Sequence, residues 1–290
     1  MKALCLFGQI HQLLSDDILL NALEMAKVNQ CGLTLLIDTY TRTHDRAYLD
    51  ILGVKNTLRD QLQQNTDEYI TSTYNQILAL INAQNINVTF CIECIVDKNW
   101  EKKLTQVLSD IESEWLLINS SPKTYKHPIF KKLAKLPTSI LLMKDMKWKQ
   151  KPIFLAAIDP LHRHDRPATL DQNITSIALQ ISTRFNTNFT IIHCCYLTPY
   201  LVKYSKKIIE IHSNTLNEFR TRHHLEHIPC VLLHGNPEDQ IFDYVKKKQC
   251  NILIIGGFCR SSISNFWLGS TTEKIVQAMP CDVFLIKPQG

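Results

Sequence analysis

Ile252-Leu253-Ile254-Ile255-Gly256-Gly257 and Val283-Phe284-Leu285-Ile286-Lys287-Pro288 are the two runs whose reading decides the fold. Each is short, continuous and β-rich, which is the pattern of a parallel strand buried on both faces. Between them, Gly269 is followed by Ser270-Thr271-Thr272-Glu273, a capped helix start that continues as Lys274-Ile275-Val276-Gln277-Ala278-Met279. A strand, a glycine-bearing loop, a helix and a second strand make one α/β crossover. The helix start then lies beyond the carboxyl end of a buried strand. Its free N–H groups and positive dipole end can hold an anion, typically a phosphate.

Working outward, the rest of the chain repeats this alternation twice. Ala3-Leu4-Cys5-Leu6-Phe7 opens the first half, and Ile153-Phe154-Leu155-Ala156-Ala157-Ile158 opens the second. Helix-like stretches follow at 18–28 and 174–185, then strands at 33–37 and 189–193. Long polar helical regions come next, at 60–83 and 206–226, with third strands at 88–96 and 230–233. Fourth strands fall at 115–118 and 252–255, and the last strands end at Met143 and Lys287. Alternating strands and helices require parallel sheets with right-handed crossovers. The expected fold is α/β, with two tandem doubly wound parallel five-stranded sheets. The domains are 1–146 and 151–290, joined by the Lys-rich stretch from Lys144 to Lys151.

Bulk properties fit this picture. A chain of 290 residues divides into two domains large enough for independent cores. It is 45% hydrophobic and 20% charged, an ordinary globular composition, and its formal charge of +5 does not by itself indicate nucleic acid. No apolar run approaches the ~18 residues a membrane span needs. The start of the chain lacks a long apolar h-region and a small-residue cleavage site, so no signal peptide is expected. Ten cysteines without such a signal read as reduced thiols in the cytoplasm, and the sequons at Asn87, Asn173 and Asn188 as chance matches.

The C-terminal stretch resembles the signature of the universal stress proteins, in which a Gly, two residues, a Gly and nine residues precede Gly-Ser or Gly-Thr. Gly256 matches the first glycine and Gly269-Ser270 the closing pair, while Cys259 stands in place of the middle glycine. Arg260, Ser261, Ile263 and Ser264 fit the usual run, and Pro280-Cys281-Asp282-Val283 leads into the final strand as in that family. The tandem order is similar to the E-type members, as are the long loop at 38–59 and the run Pro137-Thr138-Ser139-Ile140. The resemblance implies a stress-responsive ligand-binding module, with ATP as the cofactor it would allow.

In an open α/β sheet, ligands bind beyond the carboxyl ends of the strands, where the strand order reverses. In the second half that crevice is expected between Asp159 and the Gly256 loop. The resemblance assigns the base to Asp159 and Cys194, and the ribose and phosphates to Gly256, Gly269, Ser270 and Thr271, with Cys259 and Arg260 in the same loop. A plainer alternative has Asp159 capping a loop and the glycines only permitting turns. Where the family glycine is left-handed, a cysteine costs roughly 1–2 kcal/mol. Since about 1.4 kcal/mol is tenfold in affinity, the expected nucleotide site is damaged.

The first half is more degraded. Gly8 occupies the place of Asp159, the loop after Ile118 reads Asn119-Ser120-Ser121-Pro122-Lys123, and no glycine occurs between Gly53 and Gly235. Other constellations are weaker. Cys91 and Cys94 have C-x-x-C spacing, but on a strand they point to opposite faces. His223, His224, His227 and Cys230 offer metal-ligand spacing, though a solvated helix end is the simpler reading. His162-Arg163-His164 could meet an anion near the crevice. Nine lysines lie between Lys123 and Lys151, without the aromatics of an RNA-binding surface. No catalytic motif is present, and neither a metal nor nucleic acid is expected.

Two other functions stay open: slow ATP hydrolysis with Asp159 as the base, and a pocket for an apolar or lipid-like ligand. The final strands, 139–143 and 283–286, would be exposed apolar edges if left alone. They are expected to pair antiparallel within one chain, making an internal pseudo-dimer, with any homodimer using other surfaces. The eight-residue linker reaches at most about 26–29 Å, enough for that connection.

Overall fold

Strand pairing follows the apolar runs closely. The computed structural model describes residues 2–10, 12–40, 55–96, 98–120, 128–161, 169–257, 259–260, 266–267 and 269–288. The chain forms two compact units, Met1–Phe130 with Asp145–Lys147, and Lys131–Lys144 with Trp148–Gly290.

In the first unit, β1 (Ala3–Gln9), β2 (Gly32–Asp38), β3 (Phe90–Ile95) and β4 (Trp115–Asn119) are parallel, in the order β3-β2-β1-β4. Strands β2 and β4 are buried along their whole length, as continuous apolar runs demand. Helix α1 (Asp16–Val28) starts at Ser15, whose hydroxyl accepts from the Ile18 N–H at 3.3 Å. It buries Ile18, Leu19, Ala22, Leu23 and Ala26, the helical stripe that packs on the sheet. Residues 145–147 belong here because Asn21 donates to the Met146 carbonyl at 2.8 Å and Ser15 bonds the Asp145 carboxylate. Helix α2 (Lys55–Gln84) is polar nearly all round, burying only Thr73 and Ile77. Local i,i+4 pairs, Gln63 with Asp67 and Gln64 with Glu68, support it. Tyr69 and Gln76 tie it to the carbonyls of Gln12 and Leu14. Helix α3 (Trp100–Asp110) completes the unit. Of the long loop expected at 38–59, residues 41–54 lie outside the described residues.

The second unit holds β5 (Ser139–Met143), β6 (Phe154–Ala157), β7 (Phe189–Cys195), β8 (Cys230–His234), β9 (Ile252–Gly256) and β12 (Asp282–Ile286). Their order is β5-β12-β9-β6-β7-β8. The five strands from β12 to β8 are parallel, as expected for this half. Helices α4 (Leu170–Arg184), α5 (Ser205–Arg222), α6 (Pro237–Lys248) and α7 (Ser270–Ala278) make the crossovers. Helix α6 carries its own signals: Asn236 caps it, Pro237 opens it, and Glu238, Asp239 and three terminal lysines complement its dipole.

Strand β5 is the first half's last strand by sequence, yet it clusters with the second unit. The reason is its antiparallel ladder with β12, which matches Val283 to Leu142, Phe284 to Leu141 and Leu285 to Ile140. Neither apolar edge is left open by this pairing. Through this ladder β5 belongs with the second unit, and the first unit holds the four parallel strands β3-β2-β1-β4.

Asp282 anchors this corner. Its carboxylate accepts the Lys144 backbone N–H and the Trp148 indole N–H, each at 2.7 Å. Complete burial pushes its pKa up from 3.8 to about 7, against the pull of those two donors and the Lys144 charge.

Candidate functional site

Strand order in the second unit reverses between β6 and β9. Strand β6 is flanked by β7 on one side and β9 on the other, and the crossovers leave its two edges in opposite directions. A cavity of about 320 Å³ opens at the carboxyl ends of these strands. Six of the residues expected from sequence line it together: Asp159, Cys194, Gly256, Gly269, Ser270 and Thr271. This is the crevice that the topology prescribes.

Each element delivers its residue for a local reason. Strand β6 is prolonged by the Ile158 N–H bonding the Ile192 carbonyl at 3.0 Å, and Asp159 leaves the sheet immediately afterwards. The Asp171 carboxylate in the first turn of α4 holds the Asp159 backbone N–H at 3.1 Å, fixing the loop's exit. Helix α7 begins at Gly269, whose extended backbone (φ −60°, ψ 150°) acts as a cap without a side-chain bond. Thr272 seats this helix on the strand end through a 2.9 Å bond from its hydroxyl to the Gly256 carbonyl. The orphan N–H groups of α7 thus face the end of β9.

Cys259 and Arg260 are placed differently. They form a two-residue strand, β10, paired antiparallel with β11 (Phe266–Trp267), matching Cys259 to Trp267 and Arg260 to Phe266. The backbone at Cys259 is in a strand ladder, an extended pairing and not the isolated left-handed turn that the strain argument supposed. His162-Arg163-His164 lie outside the described residues, as do 121–127 of the first half's loop.

Sequence reasoning missed His193. It is buried on β7, lines the cavity, and stands 3.8 Å from the Asp159 carboxylate. Its Nδ1 lies 3.1 Å from the Ile158 carbonyl and its Nε2 2.7 Å from Nδ1 of His212 on α5. A carbonyl can only accept, so Nδ1 of His193 donates to it, and a single proton lies between Nε2 of His193 and Nδ1 of His212. The two rings stack at 5.0 Å. The only signal in the sequence was a histidine at an inward position of an apolar strand, which reads equally as a satisfied core residue.

Chemically, the lining is poor in reactive groups. Burial, helped by the Asp159 charge and then by Cys195, pushes the Cys194 thiol up to about 12. It stays protonated and is no nucleophile. Asp159 is the charged group in the lining, and Ile158, Ile192, Pro237, Ile241 and Ile255 give the cavity apolar walls. Gly257 has a structural duty beside it. A Cβ there would come within 3.0 Å of the Leu285 Cβ, and its N–H bonds the Ile286 carbonyl at 3.1 Å.

Of the remaining candidates, Cys91 is exposed with its sulfur 3.3 Å from the Thr34 hydroxyl, and Cys94 is half-buried. His223 packs on Phe219 at 4.5 Å. Among the described residues, no group of three or more His, Cys, Asp or Glu side chains is arranged to hold a metal.

Residues 171–287 match the model of the universal stress protein family. Over those residues the chain is similar to a universal stress protein domain. Among curated proteins, universal stress protein E of Salmonella typhi is 23% identical over 167 residues, 54% of this chain and 53% of that protein. Universal stress protein E of Escherichia coli K12 is 22% identical over the same shares. The chain thus spans about half the length of the curated relatives it matches.

Solved structures extend the likeness of fold beyond the universal stress protein domain. A Pseudomonas aeruginosa UCBPP-PA14 protein assigned to the universal stress proteins superposes with TM-score 0.69 at 17% identity, over 99% of this chain and 93% of its own. A universal stress protein from Archaeoglobus fulgidus DSM 4304 gives 0.63 at 15% identity, over 98% of both chains. At such identities the likeness is one of fold.

Proposed function

We propose that this chain is a tandem universal stress protein, acting in the cytoplasm as a stress-responsive ligand-binding module. Residues 151–290 form the repeat that keeps a ligand crevice, and residues 1–146 a copy whose crevice residues are lost. The observation that carries the reading is the cavity at the reversal of strand order in the second unit. There Asp159, Cys194, Gly256, Gly269, Ser270 and Thr271 meet at the start of α7. Among the described residues, no helix is long and apolar enough to cross a membrane.

Nucleotide binding at this crevice is weak at most. Among the described lining residues Asp159 is the charged group, and its carboxylate opposes a polyphosphate held at the α7 N-terminus. Calorimetry with ATP is expected to give weak or undetectable heat, confined to the second repeat and lost in Asp159→Ala. Tight ATP binding that Asp159→Ala leaves unchanged would count against this reading.

A second reading is an apolar or lipid-like ligand, favoured by the isoleucine and proline walls around one polar end. Mass spectrometry of the gently purified protein separates the two. A retained nucleotide supports the first, and a retained apolar molecule the second. Slow ATP hydrolysis has less to draw on, because the Cys194 thiol is held protonated and Asp159 is left as the base.

A further inference from the structure

The segment that follows β7 is dressed for something other than water. Tyr196, Tyr200, Val202 and Tyr204 are 52%, 76%, 59% and 51% exposed, and Ile211 farther along is 45% exposed. The 3₁₀ turn Pro199–Tyr204 buries none of its residues. Helix α5 buries only Leu216 and Phe219; in its first half Ile208 and Ile209 are half-buried and Ile211 is exposed. Exposed lysines at 203, 206 and 207 are interleaved with these side chains, and Glu210 is the one acidic residue from 196 to 211. The Lys203 ammonium lies 4.9 Å from the centre of the Tyr204 ring.

We infer that residues 196–211 form a docking surface for the headgroup region of an anionic lipid bilayer, on which the protein adsorbs without inserting. Three properties select this occupant. Tyrosines partition to the headgroup level with ring buried and hydroxyl wet. Lysines bury their stems and raise their charges to anionic headgroups. The aliphatic side chains add apolar area at the same depth. A protein partner fits less well, because lysine is depleted from the cores of protein interfaces. Single-stranded nucleic acid fits less well too. Stacking platforms pair aromatics with arginine, and this segment has no arginine and several aliphatic groups that cannot stack. The surface stands apart from the crevice reading and does not depend on it.

Flotation of the full chain with vesicles tests it. Binding is expected to vesicles containing about one-third phosphatidylglycerol in phosphatidylcholine, and to fall sharply when salt rises to about 0.5 M. Pure phosphatidylcholine should retain little. The triple variant Lys203→Gln, Lys206→Gln, Lys207→Gln should lose roughly a hundredfold in affinity, at about fivefold per lysine. Tyr200→Ser with Val202→Ser should also weaken binding at least tenfold while leaving the circular dichroism spectrum and Tm unchanged, since neither side chain is buried. Absence of binding to the anionic vesicles would overturn the inference, and so would binding that both variants retain. Retention of poly(U) without vesicle binding would overturn it in favour of nucleic acid.

Discussion

The two halves of this chain read out the same strand sequence but differ at the ends of their first and fourth strands. In the second half, β6 ends at Asp159 and β9 at Gly256, and a cavity lies between them. In the first half, the counterparts are Gly8 within β1 and Asn119 closing β4. The cores do not share this contrast. Phe7 on β1 and Phe154 on β6 are both fully buried, each against a second aromatic ring, Trp100 at 6.4 Å and Phe185 at 5.7 Å. Strand burial needs only apolar side chains of suitable volume, which many sequences satisfy. A ligand crevice needs particular atoms at a few loop positions. The fold can therefore persist in a half whose first and fourth strands end in other residues.

The largest test of that comparison is mutation of the two cores. Phe7→Ala and Phe154→Ala should each destabilise their own unit by about 3–5 kcal/mol. Hydrogen exchange of the strands in each unit reads the two costs separately. A much smaller cost for Phe7→Ala would mean that the first half has lost packing as well as its crevice.

The next difference lies at the final strands, where Asp282 in the second half stands against Ser139 in the first. The Ser139 hydroxyl accepts from the Lys287 N–H at 3.1 Å and carries no charge. Asp282, raised from 3.8 to about 7, binds a proton in the folded state that the unfolded chain has released over that window. Its contribution to stability is complete below pH 3.8 and is lost as pH rises to about 7. The loss is bounded at roughly 4 kcal/mol, with the opposing donors from Lys144 and Trp148 already included. Urea melts at pH 4.5 and 7.5 should show this fall in the native chain, and Asp282→Asn should remove it from the difference between the two curves. An identical pH dependence in native and variant protein would exclude Asp282 as the cause.

Much of this was legible before the structure. The apolar runs placed the parallel strands, and Gly256, Gly269-Ser270 and Asp159 marked the crevice, because buried strands and glycine loops leave local signatures. What was not legible depended on distance along the chain. His193 acquires its meaning only beside His212 and Asp159, nineteen and thirty-four positions away. Cys259 was read as a turn position, yet its backbone pairs with Trp267 in a ladder that no periodicity announces over two residues. Lys144 to Lys151 has the composition of a linker, while β5 obtains its partner from β12 at the far end of the chain.

The smallest expected effect contrasts two glycines near the strand ends. Gly257 follows β9, and an added Cβ would sit 3.0 Å from the Leu285 Cβ, closer than side-chain carbons tolerate. Leu285 is fully buried on β12, so it has no free space into which to retreat. Gly257→Ala should therefore cost about 1–3 kcal/mol, the ordinary cost of overpacking. Gly8 lies inside β1, and a Cβ there would meet Leu14 at 3.6 Å, an ordinary van der Waals distance. Replacing a strand glycine with alanine also reduces the entropy lost on folding, by roughly 0.5–1 kcal/mol. Gly8→Ala should be neutral to slightly stabilising in thermal melts. The two substitutions are chemically identical and differ only in what lies opposite. Equal costs would mean that the first half still depends on the open backbone at its first strand, and that its crevice has lost less than the comparison claims.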